Sequence, residues 1–154
     1  MKLTNVLLLL FLVLMAGSVQ AAPALTIISG DQKMVFDRQE LENFPQTTIS
    51  TTSPYFEGTM DFTGPTLARV LEAFGIRDES QIRLKALNDY AVAGTLEEVL
   101  GLEAIVATRR NTEIMSVRNH GPFWVILPLS DRPELDNQDF HKFMIWQLDR
   151  IELD

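Results

Sequence analysis

Arg109, Arg110, Arg118 and His120 fall within twelve residues of a chain whose net charge is −8. A guanidinium presents planar, paired donors that match a phosphate or a carboxylate. A histidine adds a donor that titrates near neutral pH. Together with Asn119 these residues precede or open the stretch VRNHGPFWVILP, residues 117–128. Its first part is polar, Gly121-Pro122 turns the chain, and Phe123 to Leu127 is almost wholly apolar. Two readings stand side by side. The basic groups converge on an anion at one end of a sheet, or they solvate a sheet edge and pair with local acids, as surface charges commonly do. Asn88, Asp89 and Tyr90 interrupt two apolar segments as a turn would, and they are candidate neighbours of the same site.

Other chemistry is excluded by what the chain lacks. It has no nucleophile elbow, no phosphate-cradling glycine loop and no His-Glu-x-x-His helix. There are two histidines, His120 and His141, and no cysteine, so thiolate metal sites and cysteine nucleophiles are ruled out. No local spacing completes a zinc site. Asp131, Glu134, Asp136 and Asp139 lack the glycine and the ordered spacing of a calcium loop, and read as a solvated loop. The acidic balance disfavours nucleic acid and anionic lipid, because phosphate binding draws on clustered Lys and Arg. Trp124 and Trp146 each sit in an apolar strand pattern, which favours core packing over a stacking platform.

The elements that must position these groups read from caps and periodicity. Leu25 to Ser29 and Lys33 to Phe36 flank Gly30-Asp31 as a hairpin. Asp37 and Glu40 form a capping-box start for a short helix with Leu41 and Phe44, stopped by Pro45. Gln46 to Ser53 and Tyr55 to Phe62 suit strands. The stretch TGPTLARVLEAFGI, residues 63–76, predicts a helix with Pro65 at its first position, an apolar stripe of Leu67, Val70, Leu71 and Phe74, and Gly75 past its end. Ile82 to Leu87 and Tyr90 to Ala93 predict strands, and Thr95 to Leu100 a short amphipathic turn or helix. Ala104 to Arg109 and Glu113 to Ser116 look like hairpin arms around Asn111. Phe123 to Leu127, apolar on both sides, predicts a central strand covered on both faces. Ile145 to Leu153 alternates and should close the sheet. Strands outnumber scattered helices, so the expected class is α+β, a mixed, mostly antiparallel sheet with a few short helices.

Compartment and domain count follow from the first residues. Lys2, the apolar run Val6 to Ala16, and the small residues up to Ala21 have the layout of a secretory signal peptide cleaved after Ala21. The apolar run is shorter than the ~20 residues of a spanning helix. The expectation is a leader at 1–21 and one domain at 22–154, periplasmic or secreted, with no membrane insertion after cleavage. Loss of Lys2 with the leader makes the remaining chain one unit more acidic than −8. A domain of this length buries roughly two-thirds of its unfolded surface, and without disulfides it must rest on its core alone.

In order, FTGPTLARVLEAFGI, LKALNDYAV, ATRRNTEIMSVRNHGPFWVILPL and WQLDRIEL resemble the molybdopterin-binding domain of the sulfite oxidase family, over about residues 55–153. The resemblance implies a sulfite oxidase-like molybdopterin-binding fold. It also implies a pterin-bound molybdenum held by a cysteine thiolate, with basic side chains on the pterin phosphate. This chain departs from that pattern. The segment where the thiolate would fall by order, TTISTTS at 47–53, offers only hydroxyls, whereas such a metal favours soft sulfur. The signal is of the general secretory type, which exports an unfolded chain, not of the twin-arginine type that exports loaded enzymes. Phe123 and Trp124, not an arginine, follow the Gly-Pro turn.

The expected function is therefore a non-catalytic periplasmic module with this fold, binding a small anionic ligand or a protein partner. Its candidate site is Arg109, Arg110, Arg118, Asn119 and His120, with Asn88, Asp89 and Tyr90 beside them. It needs no catalytic residue, metal or cofactor. The rival is a pterin- and molybdenum-dependent oxidoreductase that dispenses with the thiolate. A pure interaction protein would show an exposed apolar patch beside the rim.

Overall fold

The structure is a computed structural model, and it describes residues 21–154. Apart from Ala21, the expected leader lies outside the described residues. Strands β1 (Ala24–Ser29) and β2 (Gln32–Asp37) form the first hairpin, with Gly30 at φ 52° in its turn. Asp37 then caps α1 (Arg38–Asn43): its carboxylate accepts from the Glu40 amide, and the Glu40 carboxylate accepts from the Asp37 amide. Two orphan amides are thereby satisfied, and the helix turns Leu41 into the core. Strands β3 (Thr47–Ser53) and β4 (Phe56–Gly64) pair antiparallel.

Helix α2 (Leu67–Phe74) buries the expected stripe and ends on Gly75 in the left-handed region, φ 89°. Its start differs from the sequence reading. Thr66, not Pro65, is the boundary residue, its hydroxyl accepting from the Arg69 amide. The reason lies across the fold. Gly64 is pressed so closely on the Val106–Ala107 backbone that no Cβ would fit, the Pro65 carbonyl accepts from the Val106 amide at 2.9 Å, and Thr66 bridges to Ile105. Residues 64–66 are held extended by these contacts, so the helix begins after them.

Strands β5 (Gln81–Ala86) and β6 (Ala91–Thr95) form a second hairpin, and Thr95 caps α3 (Leu96–Gly101). The 104–116 region does not form the single hairpin expected. It divides at Thr108, whose amide bonds to the Thr63 carbonyl at 2.9 Å. Strand β7 (Ile105–Ala107) lies before the break, and β8 (Arg109–Arg110) turns back to β9 (Glu113–Ile114) after it. Strand β10 (Trp124–Ile126) is fully buried but not central, since it ladders only with β7. Its other side is met by single bonds, Val125 amide to Ile145 carbonyl and Leu148 amide to Phe123 carbonyl. A two-sided apolar run specifies burial, not the number of strand neighbours.

Strand β11 (Leu148–Leu153) lies at the centre of a five-stranded sheet ordered β2-β1-β11-β5-β6, parallel to β1 and antiparallel to β5. The strand expected over Ile145 to Leu153 thus begins at Leu148, and it joins the β1–β2 and β5–β6 hairpins from the middle of the sheet. A four-stranded sheet, β3-β4-β8-β9, and the β7-β10 pair complete the architecture. Between Ser130 and Gln147 the chain makes a 3-10 turn at Pro133–Leu135 and α4 (Gln138–His141). One contiguous core joins all three sheets and the helices. The class is α+β, with mostly antiparallel pairing. Among the described residues no helix is long and apolar enough to cross a membrane.

Candidate functional site

The loop leaving β9 forms a 3-10 turn at Val117–Asn119, tied by the Asn119 and Gly121 amides to the Ser116 carbonyl at 2.9 and 2.8 Å. His120 follows with φ 70°, and the Gly121-Pro122 peptide is cis. Gly121 lies against the Met115 backbone with no space for a side chain. This geometry points the His120 ring inward. It stacks on Trp124 at 4.5 Å between centroids and meets the edge of Trp146 at 5.2 Å. Its Nδ1 is buried with no protein hydrogen-bond partner. Burial lowers the imidazole pKa, the nearby Arg110 charge lowers it further, and the Asn119 backbone opposes both. His120 is thus a ring of the aromatic packing that favours its neutral form.

The four basic residues part company. Arg109 places its guanidinium on Glu42, with Nε to Oε1 at 2.9 Å and Nη2 to Oε2 at 3.2 Å, and donates to the Thr112 carbonyl. Thr108 donates its hydroxyl to the same Glu42 oxygen at 3.0 Å, and Arg38 donates to the Thr108 carbonyl at 2.7 Å. Burial pushes the Glu42 carboxyl up, but the Arg109 and Thr108 hydrogen bonds and the two arginine charges outweigh it and hold it below its ordinary value. This network welds α1 to the β7–β8 break. Arg109 is therefore consumed in the scaffold. Arg110 is half-buried and near enough to His120 to influence its titration. Arg118 and Asn119 are exposed on the 3-10 turn. Among the described residues neither Arg110 nor Arg118 has an acidic partner within ion-pair distance.

Trp146 also lines a cavity of about 280 Å³, near the lower end of small-molecule pockets. Buried Ala86, Met144 and Ile145 contribute apolar lining, while Tyr55, Tyr90 and Trp146 supply aromatic walls. Tyr55 and Trp146 meet as a corner, 5.1 Å between centroids and 78° between planes. The Tyr55 hydroxyl donates to the His141 carbonyl at 3.1 Å. Burial raises its pKa, with Tyr90 adding a smaller push. Besides the two tyrosines, its polar lining residues are Asn88 and Lys142. Asn88 Oδ1 already accepts from the Tyr90 amide at 3.1 Å, which leaves the amide nitrogen free to donate. Lys142 has no acidic partner among the described residues, and its Nζ lies 5.0 Å from the Phe143 ring centre.

Of the residues expected from sequence, Asn88 and Tyr90 line this cavity, while Asp89 pairs with Lys85 at 3.0 Å. None of Arg110, Arg118, Asn119 and His120 lines it: the His120 ring meets Trp146, Arg110 is near His120, and Arg118 and Asn119 are exposed on the turn before it. Tyr55 and Lys142 had been passed over, and Trp146, read from sequence as core packing in a strand, is instead half-buried at the cavity, before β11 begins. The sequence reading had placed Tyr55 and Trp146 within strands, whereas β4 begins at Phe56 and β11 at Leu148, which leaves both rings on the segments just before them. Gln147 was also missed, and it joins the 117–120 turn to the cavity's segments. Its amide donates to the His120 carbonyl at 2.9 Å, its side chain to the Val117 carbonyl at 2.9 Å, and its carbonyl accepts from Leu87 at 3.0 Å.

No family model matches the chain, and no curated protein matches it. Among solved structures it is similar in fold to the sulfane dehydrogenase SoxCD from Paracoccus pantotrophus, with a TM-score of 0.63 and 16% identity. The match covers 89% of this chain and 40% of that chain. At that identity the likeness is one of fold, and it agrees with the sulfite oxidase-like fold that the sequence resemblance implies. The chain spans less than half of the neighbour's length.

The donor set does not fit a thiolate-held metal. There is no cysteine, and among the described residues no three His, Cys, Asp or Glu side chains are grouped to hold a metal ion. In the segment where the thiolate falls by order, Thr51 is fully buried. Its hydroxyl donates to the Thr52 carbonyl at 2.9 Å and accepts from the Ser130 amide at 3.3 Å. That oxygen is a strut between β3 and the 128–131 loop.

Proposed function

We propose that this chain is a non-catalytic binding module, exported to the periplasm or beyond, that takes a small anionic ligand in the cavity beside Trp146. The observation that carries this is one of contrast. In a chain of net charge −8, the cavity is lined by three aromatic rings, one lysine without an acidic partner, and no carboxylate. Arg110, near the His120 ring that meets Trp146, and Arg118, two residues before His120, add positive potential. Protein purified from the periplasm of its own host tests the reading. Native mass spectrometry is expected to show an adduct that leaves on denaturation, and elemental analysis no stoichiometric molybdenum. A pterin together with one molybdenum per chain would replace this reading by the oxidoreductase.

A second reading, docking of a periplasmic protein partner, has its own support. Leu87, Tyr90 and Val117 are 49%, 52% and 49% exposed, and Gln147 ties the backbones of Leu87 and Val117 to the segment carrying Trp146. A protein cross-linked to the native chain in host periplasm, and lost from the Leu87→Ser, Val117→Ser double variant, would favour it.

A further inference from the structure

We infer that the cavity selects a flat aromatic carboxylate, with the ring between Tyr90 and the Tyr55–Trp146 corner and the carboxylate on Lys142 and the free amide of Asn88. The inference rests on the binding-module reading and names its ligand class. Shape comes first. Two rings meeting at 78° enclose one face and one edge of a flat guest, the arrangement that aromatic pairs prefer. Apolar Ala86, Met144 and Ile145 lining the same cavity offer nothing to a hydroxyl or an amide. A sugar or a peptide would set more polar groups against these three apolar side chains than a flat aromatic ring does, at the cost of unpaired hydrogen bonds.

Charge then decides between two guests that aromatic walls accept. Rings of this kind also bind quaternary ammonium ions. Here, however, the one ionisable group at the cavity besides the two tyrosines is Lys142, and its charge would repel such a cation. The Lys142 ammonium and the Asn88 Nδ2 hydrogens are both donors, and the Asn88 oxygen is already taken by Tyr90. A fixed cation with an amide donor on the same cavity favours a carboxylate over a neutral or a cationic ring.

The chain has two tryptophans, Trp124 fully buried and Trp146 at the cavity, so the fluorescence of Trp146 reports on occupancy. The experiment titrates the full exported chain with benzoate, benzyl alcohol, acetate and choline, followed by fluorescence and calorimetry. Benzoate is expected to bind at least about tenfold more tightly than each of the others, the worth of one charge-assisted hydrogen bond. Lys142→Met should bring benzoate down to the level of benzyl alcohol. Asn88→Asp keeps the acceptor for the Tyr90 amide but replaces a donor by a negative oxygen. It should remove benzoate binding and leave benzyl alcohol unchanged. Both substitutions are at exposed positions, and an unaltered melting temperature verifies folding. Choline or acetate equalling benzoate, or benzoate indifferent to Asn88→Asp, overturns the ligand class. No binding by any probe also overturns it, and the host-purified protein then separates the two readings. A small-molecule adduct there preserves the binding module, and its absence removes both.

Discussion

At the scale of single residues, the basic cluster shows how little residue type says about employment. Arg109 and Arg110 are neighbours in sequence. One is held by a carboxylate from a helix 67 positions away, and the other, near an imidazole, has no acidic partner among the described residues. The choice was made by Glu42, which no local pattern connects to Arg109. His120 was legible as a titrating group, but its orientation was not, because that depends on φ 70° and on Trp124 waiting beneath it. Its pKa is lowered in the fold, so the native state prefers the neutral ring. The stabilisation is fully present above the ordinary histidine value of about 6.5 and is lost as pH falls through the lower folded value. His120→Phe, which keeps a ring on Trp124, is expected to lose less melting temperature than the native chain between pH 7.5 and pH 5. Thermal unfolding across that range, with parallel losses in the two proteins, would remove His120 from the account.

At the scale of elements, short-range signals were read well and long-range ones poorly. The Asp37–Glu40 box, the Thr95 cap, Gly30 and Gly75 act within a few residues of themselves, and each element they punctuate is present. Pro65 was misread because Gly64 is committed to the Val106–Ala107 backbone, a contact across forty residues of chain. Gly64→Ala forces a Cβ into that backbone. It is expected to destabilise the protein by about 1–3 kcal/mol or more, the usual cost of overpacking, measured by urea unfolding. Gln147 is the element-level device of the site, since it ties the 117–120 turn, the β5–β6 turn and the Trp146 segment. Gln147→Ala removes one side-chain bond, worth about 1 kcal/mol. Amide exchange at Asn119 and Gly121 should quicken while the β1 and β11 amides stay protected. Unchanged loop exchange would deny Gln147 this role.

At the scale of the whole molecule, the cavity exists because three separated segments, at Tyr55, at 86–90 and at 142–146, end at one place. Strand β11 is what brings the last two together, lying between β1 and β5. Ile151 is fully buried on that strand. Ile151→Ala is expected to lower stability by about 2–5 kcal/mol, and with one continuous core fluorescence and circular dichroism should report a single coincident transition. Separate transitions would mean that the sheets unfold as independent units. The α+β class, the β1–β2 and β5–β6 hairpins, helices α1 to α3 and the apolar stripe of α2 were determined by the sequence itself, because caps, turns and apolar periods act between near neighbours. The employment of Arg109, the inward turn of His120, the central place of β11 and the aromatic cavity were decided only by tertiary structure. Each depends on a contact between residues far apart in the chain, and one sequence carries no local mark of its distant partners.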